Sequence, residues 1–418
     1  MSKRSIQSVL ALSVLSLMMA AAHAEQAQQN VVETNSDTSQ ITRLDTIVIT
    51  ASGYEQDLSK APASMTVISS EELGKREYSD ITDVLRNTPG VVVSGSGSSQ
   101  TISIRGMSSN YTLFLVDGKR QYSKDVNPNG DDNGFEKNIL PPMAAIDRIE
   151  IIRGPASTLY GSEAMGGVIN IITKKVADEW SGSVELGTVI QDKGDAGDIK
   201  NASVYVAGPL IANTLGLQLS LNKQEREEDS FVGGFRGNER ESLNSRLTYM
   251  LNDQHDFALD ANFTQQDATT TVGKTVEATA TAESSSSRNY RSVYALTHNG
   301  QYSDELNSTT YLQYENSKNP DRANTTLDTK GIELETWTFN NQWNWMLNDH
   351  KLSFGAYYKD ETLNDKATNR NPNIPEFSEL SRWSAAAFVE DTWSITDQFN
   401  LTGGLRYDHD ENYGGNLS

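Results

Sequence analysis

In Thr214-Leu215-Gly216-Leu217-Gln218-Leu219-Ser220-Leu221-Asn222 every second residue is leucine, and the residues between are small or polar. A period of two belongs to a β-strand, whose successive side chains point to opposite faces. One face of this stretch therefore suits an apolar medium and the other suits water. The same texture recurs at 183–191, 202–208, 242–251, 257–264, 290–299, 306–314, 333–346, 352–362, 383–395 and 399–407, which makes eleven strands in all. Each is close to the roughly 9–11 residues that a tilted strand needs to cross a bilayer.

The connections sort into two populations. Short ones lie at 209–213, 252–255, 300–304, 348–350 and 396–398, long polar ones at 225–238, 267–287, 316–330 and 364–379, and the two kinds alternate strictly. Short turns on one rim and long loops on the other are the pattern of bacterial outer-membrane barrels, with the long loops outside. Trp337, Phe339, Trp343, Trp345, Trp383 and Trp393 fall near strand ends, where an interfacial aromatic girdle forms. A soluble β-sandwich or propeller is the competing architecture. It needs a dry core, whereas one face of these strands carries Ser, Thr, Gln and Asn, leaving the apolar face to lipid or a second sheet. Only 36% of the residues are hydrophobic, an average that suits a soluble protein, but a barrel needs apolar side chains on alternate positions only.

Upstream the texture differs. Lys3 and Arg4 precede an apolar run at 9–19, and Ala22-His23-Ala24 supplies small residues for cleavage, so 1–24 reads as a signal peptide. A membrane anchor is the alternative, but the run is short of the roughly 20 residues needed to span. Residues 25–52 are rich in Gln, Asn, Thr and Ser and read as a flexible tether ending in the β-prone Asp45-Thr46-Ile47-Val48-Ile49-Thr50-Ala51. Residues 53–176 mix capped short helices at 69–73 and 79–85 with strands at 101–105, 112–116, 146–153 and 168–173, as an α+β domain would, and 177–418 holds the strands described above. Cysteine is absent, which excludes a disulfide framework and a lipid-carrying cysteine. Asp plus Glu number 56 against 35 Lys plus Arg, and so acidic a chain repels nucleic acid.

Five motifs in the α+β region carry a family likeness. They are Leu85-Arg86-Asn87-Thr88-Pro89-Gly90-Val91, Ile104-Arg105-Gly106, Leu115-Val116-Asp117-Gly118-Lys119-Arg120, Ile146-Asp147-Arg148-Ile149-Glu150-Ile151-Ile152-Arg153-Gly154-Pro155 and Leu159-Tyr160-Gly161-Ser162-Glu163-Ala164-Met165-Gly166-Gly167-Val168-Ile169-Asn170-Ile171-Ile172-Thr173. In this order and spacing the region resembles the plug of TonB-dependent outer-membrane siderophore receptors, nearest to the catecholate siderophore and colicin I receptors. The resemblance implies an α+β plug domain inside a membrane antiparallel β-barrel of about 22 strands, in the outer membrane of a Gram-negative bacterium. It implies import of ferric siderophores, driven by the inner-membrane proton gradient through TonB. Outer-membrane lipid would surround the wall, and colicins or phage could exploit the same surface. The same fold could instead take haem, cobalamin or another metal complex. The iron complex would be cargo, with no resident cofactor. No bond need be made or broken, and no Ser/His/Asp grouping suggests an enzyme.

The implied roles fall on particular residues. Asp45, Thr46, Ile47, Val48, Ile49, Thr50 and Ala51 sit where the family carries its TonB box, and an extended β-branched run suits strand addition to a partner; a first strand of the plug is the bland alternative. Arg105 and Arg153 each follow apolar strand residues and precede glycine, and a charge leaving a buried strand needs an acidic partner. The family implies barrel-wall glutamates on later strands, a plug–barrel lock; Glu150 and Glu163 offer a pairing within the plug. Arg120, Tyr122 and Lys124 open the second long plug loop and are candidates to meet an anionic iron complex by charge and stacking; a plain solvated loop is the alternative. The same loop has Asp125, Asn127, Asn129 and Glu136 at the spacing of a calcium loop, though without flanking helices and with Asp132 where an apolar residue belongs. The glycines of 94–99 form an apical loop rather than a phosphate loop, because no following Lys-Ser or Lys-Thr accompanies them. The histidines show no metal-ligand spacing.

Eleven strands is an odd number, and 411–418 lack an aromatic strand end, while single-chain bacterial barrels are even-numbered. The sequence is therefore expected to stop about halfway round the wall. A truncated, non-functional fragment is the alternative product.

Overall fold

The computed structural model describes residues 47–48, 56–57, 63–75, 78, 81–95, 101–122, 141, 143–175, 178–324, 329–366, 379–396 and 398–418. All of them lie in one compact unit, Thr46–Ser418. Strand β1 (Ile47–Val48) pairs antiparallel with β2 (Gln56–Asp57).

The plug is built on β3 (Ser64–Ser69), β6 (Thr112–Val116), β7 (Lys119–Arg120), β8 (Ile146–Arg153) and β9 (Gly167–Thr173), a five-stranded sheet in the order β3-β8-β9-β6-β7. The β6–β9 pairing is parallel and the others are antiparallel. Both faces of this sheet are covered, so its inner strands read as nearly unbroken apolar runs. Ile104, Phe114, Ile149, Ile151, Ile169 and Ile171 pack on one side with Leu73 of helix α1 (Ser70–Leu73) and Ile81 and Leu85 of helix α2 (Ile81–Leu85). Leu113, Leu115, Ile152 and Val168 pack on the other with Ala164. The Ser69 hydroxyl caps α1 by accepting from the Glu72 N–H at 3.3 Å. A separate hairpin joins β4 (Val91–Ser94) to β5 (Thr101–Ile104). Asp117 and Gly118, with φ of 50° and 75°, turn β6 into β7 as a left-handed two-residue hairpin loop, for which Asp-Gly is a favoured pair.

The wall is an antiparallel sheet of twelve strands, each bonded to the next. They are β10 (Ser181–Val189), β11 (Ile199–Ile211), β12 (Leu215–Arg226), β13 (Gly237–Asn252), β14 (His255–Thr270), β15 (Ser285–Gln301), β16 (Leu306–Asn324), β17 (Thr329–Leu347), β18 (His350–Asp365), β19 (Glu379–Thr396), β20 (Phe399–Asp410) and β21 (Gly414–Leu417). Twelve corrects the eleven read from sequence. β21 pairs Leu417 with Tyr407, but its glycines carry no side-chain alternation to read. β16 and β17 also run through much of what reads as the long loop 316–330, because backbone pairing continues past any membrane boundary without apolar side chains.

Register makes the two faces explicit. Leu217, Leu247, Leu259, Leu296, Leu312, Phe339 and Tyr358 lie side by side across seven consecutive strands. The last five of these are 39–51% exposed, an apolar outward belt of the kind lipid covers. One residue away on each strand, Gln218, Arg246, Asp260, Ala295, Gln313, Thr338 and Lys359 form the matching inward row, which faces the plug. Rings flank the belt outside, including Phe263, Tyr294, Tyr314 and Trp337 in sequence of contact.

Candidate functional site

The inward row meets the plug along a buried polar seam, and its first node is the Asp117–Gly118 turn. The Asp117 carboxylate accepts from the Thr173 N–H and the Thr173 hydroxyl, each at 2.8 Å, and from the Arg246 guanidinium of β13. Arg246 also donates to the Thr173 hydroxyl at 2.9 Å and to Asp260 of β14 at 2.6 Å. Lys119 Nζ lies 3.2 Å from the other Asp260 oxygen. Burial alone would push the Asp117 carboxyl up, but Arg246, Lys119 and the Thr173 N–H outweigh it and hold it at about 2. Two carboxylates and two cations thus close a neutral group across plug and wall.

A second node surrounds Arg120. Its guanidinium donates to Glu163 at 2.9 Å and to the Tyr160 carbonyl, and lies 4.6 Å above the ring of Tyr357 on β18. Lys359, two residues along β18, sits 2.9 Å from Glu361 and 3.8 Å from Glu163, with the Tyr122 ring at 5.3 Å. The Tyr122 and Tyr357 hydroxyls are 2.7 Å apart. Burial first, and Tyr357 next, push the Tyr122 phenol well above its usual range, so it stays neutral and keeps its proton for this bond.

Between the nodes, the Arg120 carbonyl accepts from Gln313 at 2.7 Å, Gln121 accepts from Arg291, and the Tyr122 N–H donates to Glu315 at 3.2 Å. Arg291 and Glu315 pair with each other at 2.9 Å. Four successive plug residues, 119–122, are therefore each tied to the wall. Beyond β18, Arg406 of β20 donates to the carbonyls of Thr158 and Leu159, both at 3.3 Å, at the end of helix α3 (Ser157–Tyr160). A cavity of about 70 Å³ remains over Ala295, lined by Asp117, Gln121, Arg246, Asp260 and Asn262 among others. Its polar walls suit ordered water.

The sequence-derived sites fare unequally. Arg120 and Tyr122 are 5% and 1% exposed, so they fasten the seam and do not stand free to meet an anionic complex. The Asp-Gly turn sends the chain back as a strand, which places them against the wall. Arg105 is exposed and takes its left-handed backbone, φ 51°, in the turn before Gly106; it is not the buried charge its strand suggests. Arg153 is half-buried and donates to the carbonyls of Pro89 at 2.7 Å and Met65 at 3.1 Å. Glu150 is engaged by Arg148, and Glu163 by Arg120 and Lys359. Ile47 and Val48 are described in backbone only, as β1; Asp45, Thr46, Ile49, Thr50 and Ala51 lie outside the described residues, as do Lys124, Asp125, Asn127, Asn129 and Glu136. Sequence reasoning missed Arg246, Asp260, Arg291, Glu315 and Lys359. Their signal was present: charges at inward positions midway along bilayer-crossing strands point away from lipid, toward whatever fills the interior.

Known proteins agree with this architecture. Residues 57–168 match the TonB-dependent Receptor Plug Domain, and 195–418 match the TonB dependent receptor-like beta-barrel. The chain is 44% identical over 90% of its length to the "Iron-regulated outer membrane virulence protein" of Vibrio cholerae, covering 56% of that protein. It superposes with TM-score 0.75 and 28% identity on the siderophore receptor PirA from Acinetobacter baumannii, covering 84% of this chain and 57% of that one. A variant of the ferric enterobactin receptor PfeA from Pseudomonas aeruginosa gives TM-score 0.76 and 26% identity over 86% of this chain and 59% of that one. The chain thus spans somewhat over half the length of these relatives. A plug fastened by its 119–122 edge inside an antiparallel wall, with both parts matching, makes this chain a member of the TonB-dependent receptor family of the Gram-negative outer membrane.

Proposed function

We propose that this chain supplies the plug and the first wall strands of a receptor that binds a ferric siderophore, of the catecholate kind, and imports it when TonB pulls on residues 45–51. The observation that carries the reading is the seated plug: a folded domain is fixed along one edge to the inner face of a membrane wall, and in this reading the remainder of the plug must be moved by applied work before cargo can pass. The outer membrane has no ATP and no potential of its own, so the work comes from the inner-membrane proton gradient. The relatives support the cargo class, since PirA is a siderophore receptor and PfeA a ferric enterobactin receptor.

In this reading 45–51 bind TonB by strand addition, and backbone hydrogen bonds carry the pull. Ile47 and Val48 already pair as a strand with Asp57 and Gln56, so this backbone is disposed to extended pairing. Arg105 and Arg153 would meet wall glutamates as a lock. The test is Ile47→Pro in the full-length receptor that carries this sequence, because proline removes a backbone donor. Binding of ferric catecholate to intact cells should persist while its accumulation stops. Accumulation at the parental rate would reject the reading.

A further inference from the structure

The seam just described is matched charge for charge. Lys119 faces Asp260, Arg246 faces both Asp117 and Asp260, Arg120 faces Glu163, Lys359 faces Glu361 and Glu163, and Arg291 faces Glu315, five cations to five carboxylates. Apart from Glu163, none of these side chains is more than 19% exposed. Three of these pairs cross from plug to wall, Lys119–Asp260, Asp117–Arg246 and Glu163–Lys359, and separating the surfaces would break all three together with the wall hydrogen bonds of the Arg120 carbonyl and the Tyr122 N–H, which costs far more at a buried contact than opening an exposed ion pair. The seam also offers an anionic cargo no attraction, because its cations are already neutralised by neighbouring carboxylates. Apolar packing continues it toward β11, where Ala144 and Ala145 of the plug lie against Tyr205 and Ala207.

We propose that the plug edge 119–122 stays joined to β13–β18 throughout transport, with Arg246 as the positioning residue that fixes the Asp117–Gly118 turn, and that cargo passes on another side of the plug. This rests on the reading of the chain as part of an importer. The test is a pair of cysteines, Ala145→Cys with Ala207→Cys, joined by a short thiol-reactive cross-linker in the full-length receptor. A second pair, Gln121→Cys with Gln313→Cys, serves where the first disturbs folding, with folding checked by ligand binding before cross-linking. Uptake of ferric catecholate by the cross-linked receptor should stay within about two-fold of that before cross-linking. Uptake that falls about ten-fold or more on cross-linking, and returns when a cleavable linker is reduced, would overturn the permanent seam. Absence of uptake by the parent receptor would overturn the importer reading and this inference with it, whereas loss confined to the cross-linked form overturns the seam alone.

Discussion

Arg246 of the wall reaches across the seam to Asp117 of the plug, and the same guanidinium holds Asp260 of the neighbouring strand at 2.6 Å. One side chain thus joins two adjacent wall strands to a plug turn 129 residues away in sequence. The carboxylate it meets is at the tip of a tight turn and is oriented there by Thr173.

Asp117→Asn keeps the size and part of the hydrogen bonding but removes the charge opposite Arg246. Removing one partner of a buried pair costs about 3–5 kcal/mol, and the retained amide contacts should bring the loss to the low end of that range. Denaturant unfolding of the folded protein, followed by a plug-specific probe, measures it. A loss below about 1 kcal/mol would mean that the pair is solvated in practice.

The same carboxylate makes the plug acid-sensitive. Its pKa falls from an ordinary 3.8 to about 2 in the folded state. A depressed pKa contributes stability that is complete above the unfolded value and lost as pH falls through the folded one, here a contribution of about 2 kcal/mol. Unfolding midpoints of the parent should therefore drop between about pH 4 and pH 2 more steeply than those of Asp117→Asn. Parallel curves would contradict the assignment.

Gly167→Ala tests the packing of β9 on β8. A Cβ at this position would lie 2.3 Å from the Ile152 carbonyl oxygen and 2.7 Å from Ile104 Cδ1, and a sheet backbone cannot yield as a side-chain tip can. We expect the plug to lose more than about 3 kcal/mol, visible as rapid proteolysis of the plug with the wall intact. Gly118→Ala meets no atom but is strained by its positive φ, and should cost about 1 kcal/mol.

Leu296→Arg places a charge in the middle of the outward belt. On the lipid face of a barrel this costs about 2–4 kcal/mol at the bilayer centre. Folding into phospholipid vesicles should weaken by that amount, while Ala295→Ser, one residue away on the inward row, should change it little. Equal effects at the two positions would mean that the belt is not in lipid.

Legibility from sequence followed the physics of each part. Alternation such as Leu215 to Leu221 exposed the wall because lipid and water impose opposite demands on neighbouring residues. The glycine-rich β21 and the polar extensions of β16 and β17 escaped because backbone pairing leaves no trace in side-chain pattern. The plug core was readable from runs such as Ile149 to Ile152. The seam was not, since pairing Arg246 with Asp117 requires knowing which wall strand passes beside which plug turn. The Asp117-Gly118 pair does carry a partial signal: a hairpin turn there implies that Arg120 returns along the sheet and does not enter the apical loop.

The most direct measurement follows binding and accumulation of a ferric catecholate in the same cells, carrying the full-length receptor as their only route for it, with TonB present and then deleted. Surface binding is expected in both strains, and accumulation only where TonB is present. Equal accumulation without TonB, or no binding in either strain, would contradict the proposed function.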